Sequence, residues 1–177
     1  MPIASRMFID KLATPIGPMH VVMDERGALR AAFFSEHDDE IRHYLSSRCD
    51  AGYVFESARN THGATLALAR YFEGELDAID ALPVEAAGTH FQQEVWRALR
   101  TIPCGSTTSY GTLARQIGHP EAVRAVGAAN GANPIAVVVP CHRVIGAKGS
   151  LTGYGGGIER KRWLLRHESA YQAGCLF

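Results

Sequence analysis

The chain has no apolar run that approaches the ~20 residues a helix needs to cross a bilayer, and its first residues carry no charged stretch followed by an apolar block. A soluble, cytoplasmic protein without a membrane partner is expected. Cysteine is scarce and scattered: Cys49, Cys104, Cys141 and Cys175 form neither a C-x-x-C pair nor a ladder with histidine. That spacing gives no support to a zinc centre or a disulfide framework, so the thiols are expected to be reduced and no metal is assigned. The stretch Gly153-Tyr154-Gly155-Gly156-Gly157 lacks the Gly-Lys-Ser/Thr ending that puts a lysine on phosphate, which excludes a P-loop.

Net charge is absent as well, with 18 Lys+Arg against 18 Asp+Glu, but the zero conceals an asymmetry. Residues 1–85 hold 8 Lys+Arg against 14 Asp+Glu, a net of −6, and residues 86–177 hold 10 against 4, a net of +6. A basic half can meet a polyanion, and two oppositely charged halves can equally attract each other. At 177 residues and 46% hydrophobic, the chain suits one domain or two small ones with a real core.

In the acidic half, short apolar-rich runs at residues 7–12, 19–23 and 29–34 are separated by Thr14-Pro15-Ile16-Gly17-Pro18 and Asp24-Glu25-Arg26-Gly27. This is the pattern of three strands in a small antiparallel meander. Ser35, followed by Glu36, Asp38, Asp39 and Glu40, marks a helix start, with Ile41, Tyr44 and Leu45 at helical spacing. A further helix is expected over 61–72. Nothing here resembles a site, and the half reads as scaffold. The boundary falls within 77–88, giving domains 1–84 and 85–177.

The basic half opens on a capping box of Thr89 and Gln92, followed by a stripe of Phe91, Val95, Ala98, Leu99 and Ile102 that stops at Pro103. A helix over 109–117 puts Tyr110, Leu113, Ala114 and Ile117 on one face. Gly118-His119 breaks it, and Pro120 suits the first position of a second helix, over 120–130, which ends at Gly131. Two short helices joined through a glycine make a helix-turn-helix candidate. The second is rich in small residues with one arginine, Arg124, so it can lie close to a nucleic-acid groove or pack against other helices.

The apolar run 135–139 ends at Pro140-Cys141-His142-Arg143. A thiol followed by an imidazole can be an activated nucleophile, yet neighbours in an extended segment point to opposite faces, so a bend, a water or a third residue must join them. The alternative is a small buried cysteine that packs like alanine. A last helix over 158–168 puts Glu168 between Leu164 and Leu165, on the face shared with Ile158. There it is either a carboxylate orienting His142, which in turn deprotonates the thiol, or a frayed end in solvent. The glycines of 153–157 read as a loop around a planar or bulky ligand, or as a hinge.

Together, Tyr110, Arg124, Asn133, Pro140-Cys141-His142-Arg143-Val144, Tyr154 and Glu168 resemble the O6-alkylguanine-DNA alkyltransferases, also called methylated-DNA-protein-cysteine methyltransferases. The resemblance runs almost continuously through the basic half, and the first half is similar to the family's N-terminal domain in length and strand-strand-strand-helix order. It implies an α+β protein: a small antiparallel N-terminal sheet with helices, ribonuclease-H-like, and a mostly helical, winged-helix-like C-terminal domain with a helix-turn-helix. The implied activity is direct reversal of O6-alkylguanine in double-stranded DNA, with O4-alkylthymine as an alternative lesion, by a monomer without a cofactor.

By the same resemblance Cys141 is the alkyl acceptor, and His142 with Glu168 forms a water-linked relay that makes it a thiolate. Tyr110 donates to the departing base, although its place on an apolar stripe also suits a core tyrosine, and Asn133 holds the helix against the cysteine loop. Arg124 fills the stack vacated by a flipped nucleotide, with Ala125, Gly127, Ala128 and Gly131 along the groove. Val144, Tyr154 and Gly155 wall the base pocket. A thioether has no route back to thiol, so each molecule acts once. Gly155 stands where some relatives have a pocket serine, Gly131 where some have a further DNA-contacting base, and the zinc ligands of some N-terminal domains are absent.

Three rival readings predict different behaviour. An alkyltransferase-like lesion binder lacks the acceptor thiol that Cys141 supplies. A cysteine hydrolase built on Cys141, His142 and Glu168 is indifferent to DNA. A regulator that senses alkylation through Cys141 needs base-reading side chains, of which the small-residue helix has few.

Overall fold

The computed structural model describes residues 5–36, 39–47 and 52–169, and the chain divides into two compact units, Met1–Ala87 and Gly88–Phe177. Asp38, Cys49 and Cys175 lie outside the described residues, as do the side chains of Glu40, Ile41 and Tyr44.

In the first unit, β1 (Ser5–Thr14), β2 (Gly17–Asp24) and β3 (Leu29–Phe34) form the expected meander. β1 pairs with β2 from Met7↔Asp24 to Thr14↔Gly17, and β2 with β3 from Met19↔Phe34 to Met23↔Leu29. Asp24 fixes the second turn: its Oδ1 accepts from the backbone N–H of Arg26 (3.0 Å) and of Ala28 (2.9 Å), and Gly27 supplies the positive φ of 86°. After α1 (Asp39–Ser46) comes a strand that the sequence patterns do not reveal, β4 (Tyr53–Ser57). It lies parallel to β1, from Ser5↔Tyr53 to Ile9↔Ser57, so the sheet is mixed, with order β3-β2-β1-β4. Parallel neighbours need a crossover, which α1 supplies. Met7, Val22, Ala31 and Leu45 form a core flanked by Ile9, Phe33, Tyr53 and Phe55.

The helix expected over 61–72 is two pieces. His62 (φ 52°) and Gly63 (φ 77°) are left-handed, so a 3-10 turn at Thr61–Gly63 precedes α2 (Ala64–Phe72).

In the second unit, the capping box forms as the sequence predicts: Thr89 Oγ1 accepts from Gln92 N (3.2 Å) and Gln92 Oε1 from Thr89 N (2.9 Å), starting α3 (His90–Leu99). Val95, Trp96, Ala98 and Leu99 are buried, and Trp96 Nε1 donates to the Ala129 carbonyl at 2.8 Å. Ser109 caps α4 (Tyr110–Gln116) by accepting from Thr112 N at 3.1 Å.

α5 (Val123–Gly131) starts three residues later than expected. The N–H of Ala122 donates to the His119 carbonyl at 2.9 Å, which closes a turn with Pro120 at its second position, a place proline's φ suits as well as a helix start. Two short strands, β5 (Thr108–Ser109) and β6 (Val144–Ile145), pair in parallel and bring the start of α4 beside the residue that follows Arg143. α6 (Ile158–His167) ends the described chain, and no described helix is long and apolar enough to cross a membrane.

Candidate active site

Cys141 lies in a 3-10 turn, Cys141–Arg143, rather than in extended chain, and this bend lets neighbouring side chains share one environment. Asn133 builds the approach: its Oδ1 accepts from Ile135 N at 3.0 Å, and its Nδ2 donates to the Val139 carbonyl at 2.8 Å. Inside that loop Val137 is wholly buried at φ 73°, a conformation a β-branched residue adopts at a cost of about 1–3 kcal/mol. Surrounding bonds hold it there, including Val139 N to the Ile135 carbonyl at 3.0 Å. One turn earlier, Asn130 Nδ2 reaches the Cys141 carbonyl at 3.4 Å. Asn130 in the last turn of α5 and Asn133 just past it thus hold the cysteine turn and its approach.

Glu168, the cap of α6, is buried rather than frayed. Its Oε1 lies 2.9 Å from His142 Nε2, and both side chains are fully buried. Arg143 grips the same carboxylate bidentately, Nε to Oε2 and Nη2 to Oε1, each at 2.9 Å, while its Nη1 donates to the Ile102 carbonyl at 2.7 Å.

Burial alone would raise the Glu168 carboxyl. The hydrogen bonds and charges of His142 and Arg143 outweigh it and hold the group well below the usual carboxylate range. Burial lowers the His142 imidazole, more than its bond to Glu168 raises it, which favours the neutral ring. Burial pushes the Cys141 thiol up, opposed by a hydrogen bond from Asn133 and the charge of Lys161. Burial also sends the Tyr154 phenol well above its usual value, helped by charge on Cys141. His142 Nδ1, Asn130 Oδ1 and Tyr154 Oη are buried polar atoms without a hydrogen-bond partner in the protein, a pattern that marks sites where a polar ligand or water completes the set.

Tyr110 is the first residue of α4, half-buried, and its hydroxyl donates to the Thr152 carbonyl at 3.3 Å, while Leu113 and Ala114 take the core positions. Val144 is buried. A Cβ on Gly155 would stand 4.0 Å from the Gly131 carbonyl, which puts the glycine loop beside the end of α5. The structure therefore gathers Cys141, His142, Glu168, Asn133, Val144 and Tyr154, and connects Tyr110 to them through Thr152.

The remaining expected residues face elsewhere. Arg124, Ala125, Ala128 and Gly131 are exposed and Gly127 is half-buried, while Val126, Ala129 and Asn130 turn inward. Val123, also exposed, extends this outer face by one apolar residue.

Sequence reasoning misses three participants. Arg143 figures in it only within a motif, and Asn130 only as the end of a helix. Lys161 does not figure at all, although the helical geometry that puts Glu168 on the apolar face places Lys161 there too, three and four residues before Leu164 and Leu165. It is buried, and its Nζ donates to the carbonyls of Val144 (2.7 Å) and Thr152 (2.9 Å). Among the described residues no group of three or more His, Cys, Asp and Glu is arranged to hold a metal ion.

Comparison with known proteins converges on one set of relatives. A family profile described as 6-O-methylguanine DNA methyltransferase, DNA binding domain, matches residues 90–170. The methylated-DNA–protein-cysteine methyltransferase of Salmonella typhimurium is 54% identical over 164 residues, covering 92% of this chain and 96% of the relative. The crystal structure of the Mycobacterium tuberculosis O6-methylguanine methyltransferase aligns with a TM-score of 0.76 at 41% identity, covering 95% of this chain and 96% of that one. A structure of the protein from the same organism in complex with DNA aligns with a TM-score of 0.69 at 41% identity, covering 93% of each chain.

Proposed function

Because the chain belongs to the methylated-DNA–protein-cysteine methyltransferase family, we propose that it repairs DNA by direct reversal, moving the alkyl group of O6-alkylguanine in duplex DNA onto Cys141. One observation carries the assignment of roles: His142, the residue next to the acceptor, is buried with Nε2 on the Glu168 carboxylate and Nδ1 without a hydrogen-bond partner in the protein. Glu168 holds the tautomer with the proton on Nε2, which leaves Nδ1 as the base.

The thiol of Cys141 gives its proton to Nδ1, directly or across one water, and ionised Glu168 stabilises the imidazolium. The thiolate sulfur then attacks the alkyl carbon in line. As the S–C bond forms, the C–O6 bond breaks and its electron pair passes to the guanine. Tyr110 donates a proton to the base and is reprotonated by the one the thiol lost. The products are unmodified guanine and S-alkylcysteine, and the molecule is spent. Burial makes the unassisted thiolate scarce, which is why the relay is needed.

An alkylated guanine inside a duplex has to be rotated out, at a cost of a few kcal/mol. The outer face of α5 suits this rotation, since Ala125, Gly127, Ala128 and Gly131 allow the backbone close to a groove and Arg124 is long enough to enter the vacated stack. Val144, Tyr154 and Gly155 receive the base. The partner is double-stranded DNA carrying O6-alkylguanine, one protein molecule serves one lesion as a monomer, and a reduced acceptor suits the cytoplasm. The sheet order with its parallel fourth strand supports a ribonuclease-H-like first unit, and the β5–β6 pair beside α4 and α5 supports a winged-helix-like second.

Duplex DNA carrying radiolabelled O6-methylguanine tests the reading. One label per protein is expected on the peptide containing Cys141, and none on the Cys141→Ala variant. Label on Cys49, Cys104 or Cys175, or turnover of many lesions per molecule, overturns it.

A further inference from the structure

Some of the buried polar atoms without a hydrogen-bond partner in the protein belong to the acceptor turn and the segments around it: His142 Nδ1, Tyr154 Oη and Asn130 Oδ1. The proton relay uses the first, and the second belongs to the wall of the base pocket. Asn130 Oδ1 has no part in either, although its residue is only 3% exposed. An acceptor desolvated in this way is costly until a donor meets it.

The position of the side chain limits what that donor can be. Asn130 Nδ2 donates to the Cys141 carbonyl at 3.4 Å, and this bond sets the orientation of the amide, since exchanging its nitrogen and oxygen would set two acceptors against each other. Oδ1 is therefore the free arm of a carboxamide anchored on the acceptor residue itself. The carbonyl of the next residue, Gly131, would stand 4.0 Å from a Cβ on Gly155. Asn130 thus lies between the acceptor turn and the glycine-rich loop, the segments that receive the base.

An amide oxygen accepts and never donates, so its partner has to bring an N–H or O–H. Alkylation of guanine at O6 strips the proton from N1, and N3 and N7 are acceptors already. The exocyclic 2-amino group is then the only donor left on the base. O4-alkylthymine, whose N3 loses its proton in the same way, offers none.

We propose that Asn130 is a specificity-determining residue for alkyl transfer: its buried Oδ1 accepts from the 2-amino group of the flipped O6-alkylguanine, so the pocket favours guanine lesions over those without that donor, O4-alkylthymine included. The proposal rests on the reading of Cys141 as the acceptor of an alkyl group from a flipped base, and the test separates the two.

Full-length wild type, Asn130→Leu and Asn130→Asp are each reacted with duplexes of one sequence that carry either O6-methylguanine or O6-methylhypoxanthine, which differs only in lacking the 2-amino group. The second-order rate constant of methyl transfer to Cys141 is followed by peptide mass spectrometry, and the quantity compared is the guanine-to-hypoxanthine ratio. Loosening of the cysteine turn slows both lesions alike, and any difference in their base pairing is common to all the proteins, so neither moves the ratio. Leucine keeps the volume but removes the acceptor and is expected to lower the ratio about tenfold, whereas aspartate keeps an accepting oxygen and should hold it near the wild-type value. An Asn130→Leu ratio within about twofold of wild type overturns the proposal, as does an Asn130→Asp ratio as low as that of Asn130→Leu. Should Asn130→Leu fail to fold, Asn130→Ala takes its place with the same outcomes. If wild type takes no methyl group from either duplex, the alkyl-transfer reading falls and the proposal with it; transfer from both with a ratio indifferent to the substitutions overturns the proposal alone.

Discussion

Replacing Glu168 by alanine removes the acceptor of three hydrogen bonds, from His142 Nε2 and from Nε and Nη2 of Arg143, all at 2.9 Å. The carboxylate is fully buried and the Arg143 side chain is 7% exposed, so water has little access to the guanidinium left behind. Arg143 would retain the Ile102 carbonyl but lose its counter-charge. Removing one partner of a buried ion pair costs about 3–5 kcal/mol, because the surviving charge stays desolvated. Against a total stability of about 5–15 kcal/mol this is a large fraction. At about 2–4 °C per kcal/mol for a chain of this size, Tm should fall by about 6–20 °C. Thermal unfolding followed by circular dichroism at pH 7, with a urea titration alongside, measures it. Glu168→Gln keeps the shape and one accepting oxygen and should fall between alanine and wild type. Both variants should also transfer alkyl groups at least about 10²-fold more slowly, since nothing then fixes the tautomer of His142. A fall in Tm of less than about 2 °C for Glu168→Ala would refute the argument, since a desolvated ion pair cannot be broken that cheaply.

The same carboxylate sets an acid limit. Its folded pKa lies below its unfolded value, so its contribution is complete above an unfolded pKa of about 4.3 and is lost as pH falls through the folded value; wild-type Tm should drop over that range, and Glu168→Gln should show a shallower drop. Arg124→Ala, at an exposed position, should leave stability within about 0.5 kcal/mol. It should nevertheless slow repair of a duplex about tenfold while affecting a single-stranded substrate less, because only the duplex must be held open. In Gly127→Ala the new methyl would sit 3.9 Å from Tyr110 Cδ1, an ordinary contact. Helix propensity should then add up to about 1 kcal/mol of stability, while duplex affinity measured by fluorescence anisotropy falls if the groove approaches this face. Gly88→Ala is the opposite case: its Cβ would lie 2.5 Å from Trp96 Cη2, and a destabilisation of about 1–3 kcal/mol should appear in urea denaturation.

Features that depend on a few neighbouring residues were legible in the sequence. The Thr89–Gln92 box, the stripe on α3, the Asp24–Gly27 turn and the small-residue face of α5 follow from side-chain chemistry and helical or strand periodicity within one or two turns. Short-range patterns failed where a local signal had two outcomes. Pro120 fits a turn as well as a helix start, and His62-Gly63 can continue a helix or break it. They also failed where pairing spans many residues, as for β4, whose partner β1 lies beyond a whole hairpin and a helix.

The site shows the same division. The sequence by itself determined that a thiol and an imidazole are neighbours, that a carboxylate shares an apolar helical face, and that a helix of small residues carries one arginine; resemblance to a family supplied their roles. Tertiary structure alone decided that the chain bends at Cys141, that Arg143 and His142 share one carboxylate 25 and 26 residues away, and that a lysine on that carboxylate's own helix is buried and bonded to the carbonyl of Val144. The reason is physical. Periodicity says which face of an element is buried, but charges and thiols change their chemistry according to what lies opposite, and only the packed chain brings those partners together.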